Sequence, residues 1–224
     1  MITSSSATLV AAIAVAWLAS TAGIARADPP RVTFSEDSGV GSKLLPAVSA
    51  DGRAVVVLHV RPQPETTFAA SAELRVIDVA TDRVVERISV LRPGTRVAPA
   101  TIAKVNARLA RGTWTPLVAG EVVAHRPHGQ ERDSDERQCE LRIGELALHY
   151  DDTRLSVTRG KQVVLDHGYR AWGHPTSAKS ELEASGLRTS YISADQKLLL
   201  VIVTYHESGD EERGSDDEEH VVRL

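Results

Sequence analysis

The sequence predicts a mainly β protein: antiparallel meander sheets, blade-like or packed as a sandwich, with one short amphipathic helix. Three observations carry this expectation. Short runs rich in Val, Ile and Leu recur along the chain, turn pairs such as Asp-Gly separate them, and only one segment has clear helical periodicity.

Residues 1–27 stand apart from this pattern. Thr3 to Ala22 is uncharged and rich in small and apolar residues. It leads to the small-x-small site Ala25-Arg26-Ala27 and then to the polar Asp28-Pro29-Pro30. Residues 1–27 therefore read as a secretory signal peptide, with an uncleaved N-terminal anchor as the alternative. Removing 27 of the 224 residues leaves 197, enough for a real core in a periplasmic or secreted protein. No later run reaches the ~18 apolar residues of a spanning helix, so no membrane span is expected after signal removal. Cys139 is the single cysteine, which excludes an intrachain disulfide framework.

Residues 28–96 read as a four-stranded, blade-like meander. Ser42 to Ser49 leads through Asp51-Gly52 into Ala54 to Val60, and Asp-Gly between β-rich runs is a hairpin signal. A Pro-containing loop, Arg61 to Ala70, precedes Glu73 to Val79. There Leu74, Val76 and Asp78 share one face, and Arg75, Ile77 and Val79 the other. The turn Ala80-Thr81-Asp82 returns the chain as Arg83 to Leu91.

Residues 97–138 hold the helix and a charged loop. Ile102, Val105 and Leu109 line one helical face, Pro99 suits the first turn and Gly112 the C′ position. Lys104, Arg108 and Arg111 line the other side, read as a solvated face. Trp114 to Ala124 is extended, and His125 to Gln138 reads as an exposed loop. Residues 139–224 form a C-terminal antiparallel region. Its expected strands are Cys139 to Tyr150, Arg154 to Thr158, Gln162 to Leu165, Leu187 to Ser193, Lys197 to Tyr205 and His220 to Leu224. His167 to Gly186 reads as irregular, with a helical turn around Ser177 to Ala184.

One segment recurs. Val48-Ser49-Ala50-Asp51-Gly52-Arg53 precedes one apolar strand, and Ile192-Ser193-Ala194-Asp195-Gln196-Lys197 precedes another 144 residues later. A Ser or Asp oxygen can bond backbone N–H groups in such a turn and fix the reversal. Together with Pro46 and Ala47, the first copy resembles the Pro-x-aromatic-Ser-Pro-Asp-Gly turn of bacterial WD40-like β-propeller repeats, and Leu74 to Ile88 is similar to the outer hairpin of a blade. Val48 stands where that pattern has an aromatic, Ala50 replaces its second Pro, and Gln196 replaces Gly in the second copy. The resemblance implies one or two blade-like segments. Two copies so far apart, with a helix between, lack the ~40–45-residue period of a closed propeller, so packed four-stranded meanders fit equally well.

Three segments are candidate sites. Glu207 to His220 sets eight carboxylates against Arg213, which makes it the source of the chain's net charge of −4. Calcium takes oxygen ligands, so Asp210, Glu211, Asp216, Asp217 and Glu218 are its candidate ligands, although the regular spacing of a calcium loop is missing. A solvated hairpin tip is the plainer expectation. His125 and His128, with Cys139 and His149 downstream, have soft-metal ligand types without the paired spacing of a zinc or copper site. Tyr169, Arg170, Trp172 and His174 gather in one irregular segment and form the candidate contact surface, since such residues dominate binding hot spots.

Signatures of catalysis are not found: there is no G-x-S-x-G elbow, no H-E-x-x-H and no phosphate-cradling glycine loop. The sequence therefore points to an exported binding or scaffolding module of the cell envelope, with a protein or glycan partner and no nucleic acid. The alternatives are an envelope hydrolase with a site assembled from distant loops, and a calcium-responsive module acting through the acidic segment.

Overall fold

The computed structural model describes residues 28–35, 39–62, 69–126, 137–151, 154–168, 182–207 and 216–224. Strands β1 (Arg31–Ser35) and β2 (Gly39–Lys43) pair as a hairpin. Strands β3 (Ala47–Ser49), β4 (Ala54–Pro62), β5 (Ala69–Asp78) and β6 (Arg83–Leu91) follow as an antiparallel meander. Helix α1 (Pro99–Ala110) comes next, and then β7 (Trp114–Pro116), which completes a sheet of order β6-β5-β4-β3-β7. This is the helix-side sheet.

A second meander comprises β9 (Glu121–Arg126), β10 (Arg137–Ile143), β11 (Leu146–Asp151), β12 (Arg154–Arg159) and β13 (Gln162–Gly168), the outer sheet. Between these two lies the central sheet. It consists of β8 (Val118–Ala119), β14 (Leu182–Ile192), β15 (Leu198–Glu207) and β16 (Asp216–Arg223), in the order β16-β15-β14-β8. The described chain is thus mainly β and antiparallel with a single helix, as the sequence predicts.

Strand periodicity explains the layering. On β5, Leu74 and Val76 pack with Val105 and Leu109 of α1, while Ile77 turns to the opposite face and packs with Leu198 and Leu200 of β15. On β15, Leu199, Val201 and Val203 point the other way, into the cluster of Leu141, Leu148 and Val157 from the outer sheet. Sheet faces are covered on both sides here, so Leu198 to Val203 is an unbroken apolar run rather than an alternating one. Burying each such leucine stabilises the fold by about 1.5–3 kcal/mol.

The helix docks as its periodicity requires, with Val105 and Leu109 buried, Ile102 partly buried and Pro99 in the first turn. Asn106 mimics a strand neighbour for β1: its Oδ1 accepts from the Val32 amide at 2.8 Å and its Nδ2 donates to the Val32 carbonyl at 3.0 Å. Gly112 follows the C-cap Arg111 and so takes the C′ position, as the sequence predicts. The helix stops at Arg111 in right-handed geometry, and Gly112 serves to make room, since a Cβ there would lie 2.5 Å from Trp114 Nε1. That indole N–H donates to the Leu109 carbonyl at 2.9 Å and caps the helix end.

Other boundaries move for physical reasons. Ser42 to Ser49 is two strands, because the chain turns at Leu44, whose φ is 60°, before Pro46. The expected boundary between residues 138 and 139 falls inside β10, and β9 joins the same sheet, so the outer meander begins well before Cys139. The expected helical turn ending at Ala184 is strand from Leu182 onward, since β14 pairs with the full length of β15 through two irregular steps. Likewise Asp216 to Glu219 is strand, not loop tip, because pairing with β15 continues to Tyr205↔Asp216. Among the described residues, no helix is long and apolar enough to cross a membrane.

Candidate functional site

The face of the helix-side sheet that meets the central sheet changes character along its length. On β4 it presents Val55, Val57, His59 and Arg61, and on β5 Ile77, Arg75, Glu73 and Ser71. Register aligns the change, with His59 opposite Glu73, Arg61 opposite Ser71, and Arg75 opposite Arg87 of β6. The apolar half is sealed against Leu200 and Val221 of the central sheet. The polar half opens into a cleft of about 310 Å³, lined by Arg61, Ser71, Glu73, Arg87, Ser89 and Arg92 among others.

At the junction, Glu219 reaches across from β16. The His59 Nδ1–H donates to its Oε1 at 2.8 Å, and the Arg75 Nη1 donates to its Oε2 at 2.6 Å. A carboxylate only accepts, so this contact fixes the proton on Nδ1 of His59. Arg75 Nε also donates to Glu73 Oε1 at 2.5 Å, and Arg87 Nη1 donates to the same oxygen at 2.9 Å. The chain of groups runs from the interior outward: the side chains of His59 and Glu219 are 5% and 4% exposed, and that of Arg87 is 57% exposed.

Burial works against the charge on Glu219, but the hydrogen bond from His59 and the nearby Arg75 guanidinium outweigh it and hold the carboxyl below its ordinary range. Glu73 behaves the same way: partial burial raises it, while the Arg75 hydrogen bond and the charges of Arg75 and Arg87 prevail. Burial alone would lower Arg75, yet Glu219 and Glu73 keep it raised and charged. The carboxylates of this region are therefore locked as anions by guanidinium partners. Removal of either charge from a buried pair leaves the other uncompensated.

A second tie joins the same two sheets. His220 Nδ1 donates to Asp82 Oδ2 at 2.9 Å, and the Val221 amide donates to Asp82 Oδ1 at 2.6 Å. Burial would lower His220, but its hydrogen bond to Asp82 and the nearby carboxylates of Asp82 and Glu218 raise it above its ordinary value.

At the opposite end of the shared core the two Ser-Ala-Asp turns meet. They line one cleft of about 360 Å³, together with Thr115, Lys197 and Arg223. Their bonding is the same. Ser49 Oγ donates to Asp51 Oδ1 at 2.6 Å and accepts from the Ala54 amide at 3.0 Å. Ser193 Oγ donates to Asp195 Oδ1 at 2.5 Å and accepts from the Leu198 amide at 3.0 Å. Gly52 and Gln196 occupy equivalent left-handed positions, with φ of 67° and 55°. The serine hydrogen bond is the main cause that lowers both Asp51 and Asp195. Both serines are thus committed to the turn, a structural use that explains the recurrence.

Tyr169, Arg170, Trp172 and His174 fall outside the described residues, as do Asp210, Glu211 and His128. Asp216, Asp217 and Glu218 are consecutive on β16. Asp217 accepts a bond from Arg188, and Glu218 stands 3.6 Å from His220. His125 and Cys139 lie in β9 and β10, and exposed His149 stands 3.6 Å from Glu140. Among the described residues, no group of three or more His, Cys, Asp or Glu side chains is placed to hold a metal ion.

Sequence reasoning missed the polar cleft. The sequence alone sets Glu219 in the acidic segment and His59 in an apolar run. The available signal is Arg75, a charged residue set directly between the apolar Leu74 and Val76. No family model matches the chain, no curated protein matches it, and no solved structure matches its fold.

Proposed function

We propose that the chain is an exported, non-catalytic binding module of the cell envelope, and that the cleft beyond the Arg75–Glu219 pair receives its partner. One observation carries this reading: the carboxylates at the cleft are ion-paired and held below their ordinary range, while arginines and serine hydroxyls line its mouth. A hydrolase acid needs the opposite, a carboxyl kept protonated near neutral pH. Guanidinium and hydroxyl donors are suited to holding a ligand in place. The signal-like residues 1–27 support an envelope or secreted location. The matched bonding of the two Ser-Ala-Asp turns supports a relation between blade-like segments of the WD40-like kind.

Incubation with purified envelope glycan and with an envelope protein fraction tests the reading. Cosedimentation with one of them is expected, without release of reducing ends or new amines. Turnover of either material would favour the hydrolase instead.

A further inference from the structure

We propose that the cleft is a site for a compact organic oxyanion, a small molecule carrying a carboxylate or phosphate group. The assignment rests on the reading of this cleft as the binding site and adds the class of ligand. Among the described residues, four arginines, Arg61, Arg75, Arg87 and Arg92, lie at the cleft, with Glu73 at the wall and Glu219 beneath. Arg75 is committed to the two glutamates. Arg87 gives one N–H to Glu73, which steadies its guanidinium and leaves its remaining donors for a ligand. Among the described residues, the Arg92 side chain has no carboxylate partner.

Arg92 lines the cleft from the turn that follows β6. Arg92-Pro93-Gly94-Thr95 closes a turn in which the Thr95 amide and hydroxyl both donate to the Arg92 carbonyl, at 3.1 and 2.8 Å. Pro93 at the second position and Gly94 at φ 69° are what such a turn requires. Guanidinium groups bind oxyanions through paired N–H donors, and Ser71 and Ser89 add hydroxyls on neighbouring strands. Leu91 and Pro93 give an apolar wall for the organic body, and about 310 Å³ lies at the small end of ligand pockets.

Calorimetric titration of the folded chain with pyrophosphate and, separately, citrate tests the site. Saturable binding of one is expected, and which one identifies phosphate or carboxylate as the group held. Affinity should weaken on raising salt. It should fall about tenfold or more in Arg87→Gln/Arg92→Gln, where charge-assisted hydrogen bonds are lost. It should also fall in Arg92→Gln alone, which leaves the Glu73 pair intact, and stay unchanged in Lys161→Gln on the outer sheet. No saturable binding of either anion, or undiminished binding in both arginine variants, overturns the proposal. If neither anion binds but envelope material is still captured and Ser89→Trp abolishes the capture, the oxyanion assignment fails and the binding reading stands. Loss of both removes both.

Discussion

Arg75 of β5 donates to Glu219 of β16 over 2.6 Å, and this one contact marks where two packed sheets stop sharing an apolar core and begin to enclose a cleft. Along β5, Ile77 stands on the core side of the pair and Glu73 on the cleft side, and Arg75 itself lies between Val57 of β4 and Arg87 of β6. A buried ion pair is weak evidence for added stability, but breaking one is costly. Its role here is to end the core at a defined place.

Glu219→Gln should therefore destabilise the fold by about 3–5 kcal/mol in urea denaturation. Gln has one acceptor oxygen for two donors, so its amide must face either His59 or Arg75 donor-to-donor. A loss below about 1 kcal/mol would show that the network contributes little.

Stability should depend on pH in two opposed ways. Glu219 and Glu73 are lowered from 4.5, so their contribution is present above that value and is lost as pH falls through the lowered folded values. His220 is raised from 6.5, so its contribution is complete below 6.5 and is lost as pH rises through the raised folded value. These groups together favour the window between 4.5 and 6.5. Denaturation midpoints from pH 3 to 9 should show it, and His220→Gln should flatten the alkaline limb while leaving the acid limb in place.

The matched turns make a paired prediction. Ser193→Ala and Ser49→Ala each remove an acceptor from a backbone N–H. The Leu198 amide is buried and the Ala54 amide only partly so. Ser193→Ala should cost about 1–3 kcal/mol and Ser49→Ala about 0.5–1.5 kcal/mol. Equal losses by thermal melting would contradict the difference in burial.

These turns also show what was legible in the sequence. The Ser-Ala-Asp recurrence, the alternation of Leu74 and Val76 against Ile77, and the helix face of Val105 and Leu109 are local patterns, readable from spacing alone. The pairing of Arg75 with Glu219 joins residues 144 positions apart. Whether Glu219 is a solvated acid or a buried one depends on which strand β16 pairs with, and spacing does not encode that. Gly112 is legible as the C′ residue, but the Trp114 ring that excludes a side chain there depends on packing that spacing does not encode.

The central position of β15 predicts unusual sensitivity at consecutive residues. Leu199→Ala and Leu200→Ala face different clusters, yet each should cost about 2–5 kcal/mol. Val163 on edge strand β13 is 58% exposed, so Val163→Ala should change stability by less than about 0.5 kcal/mol. A large difference between the two leucines would contradict burial on both faces of the sheet.

The proposed export predicts a defined product. Expression of the whole sequence in a secreting bacterial host should yield a mature chain that begins at Asp28, read by N-terminal sequencing. A chain retaining Met1 in the membrane fraction would support the uncleaved anchor.

Capture of envelope material by the cleft separates a binding site from an inert surface. Wild type, Arg92→Glu and Ser89→Trp are immobilised and exposed to the same envelope extract, after their melting temperatures are shown to agree. The account predicts that reversing the charge at the cleft mouth and filling the cleft with an indole each sharply reduce what is retained. Equal retention by all three would contradict it.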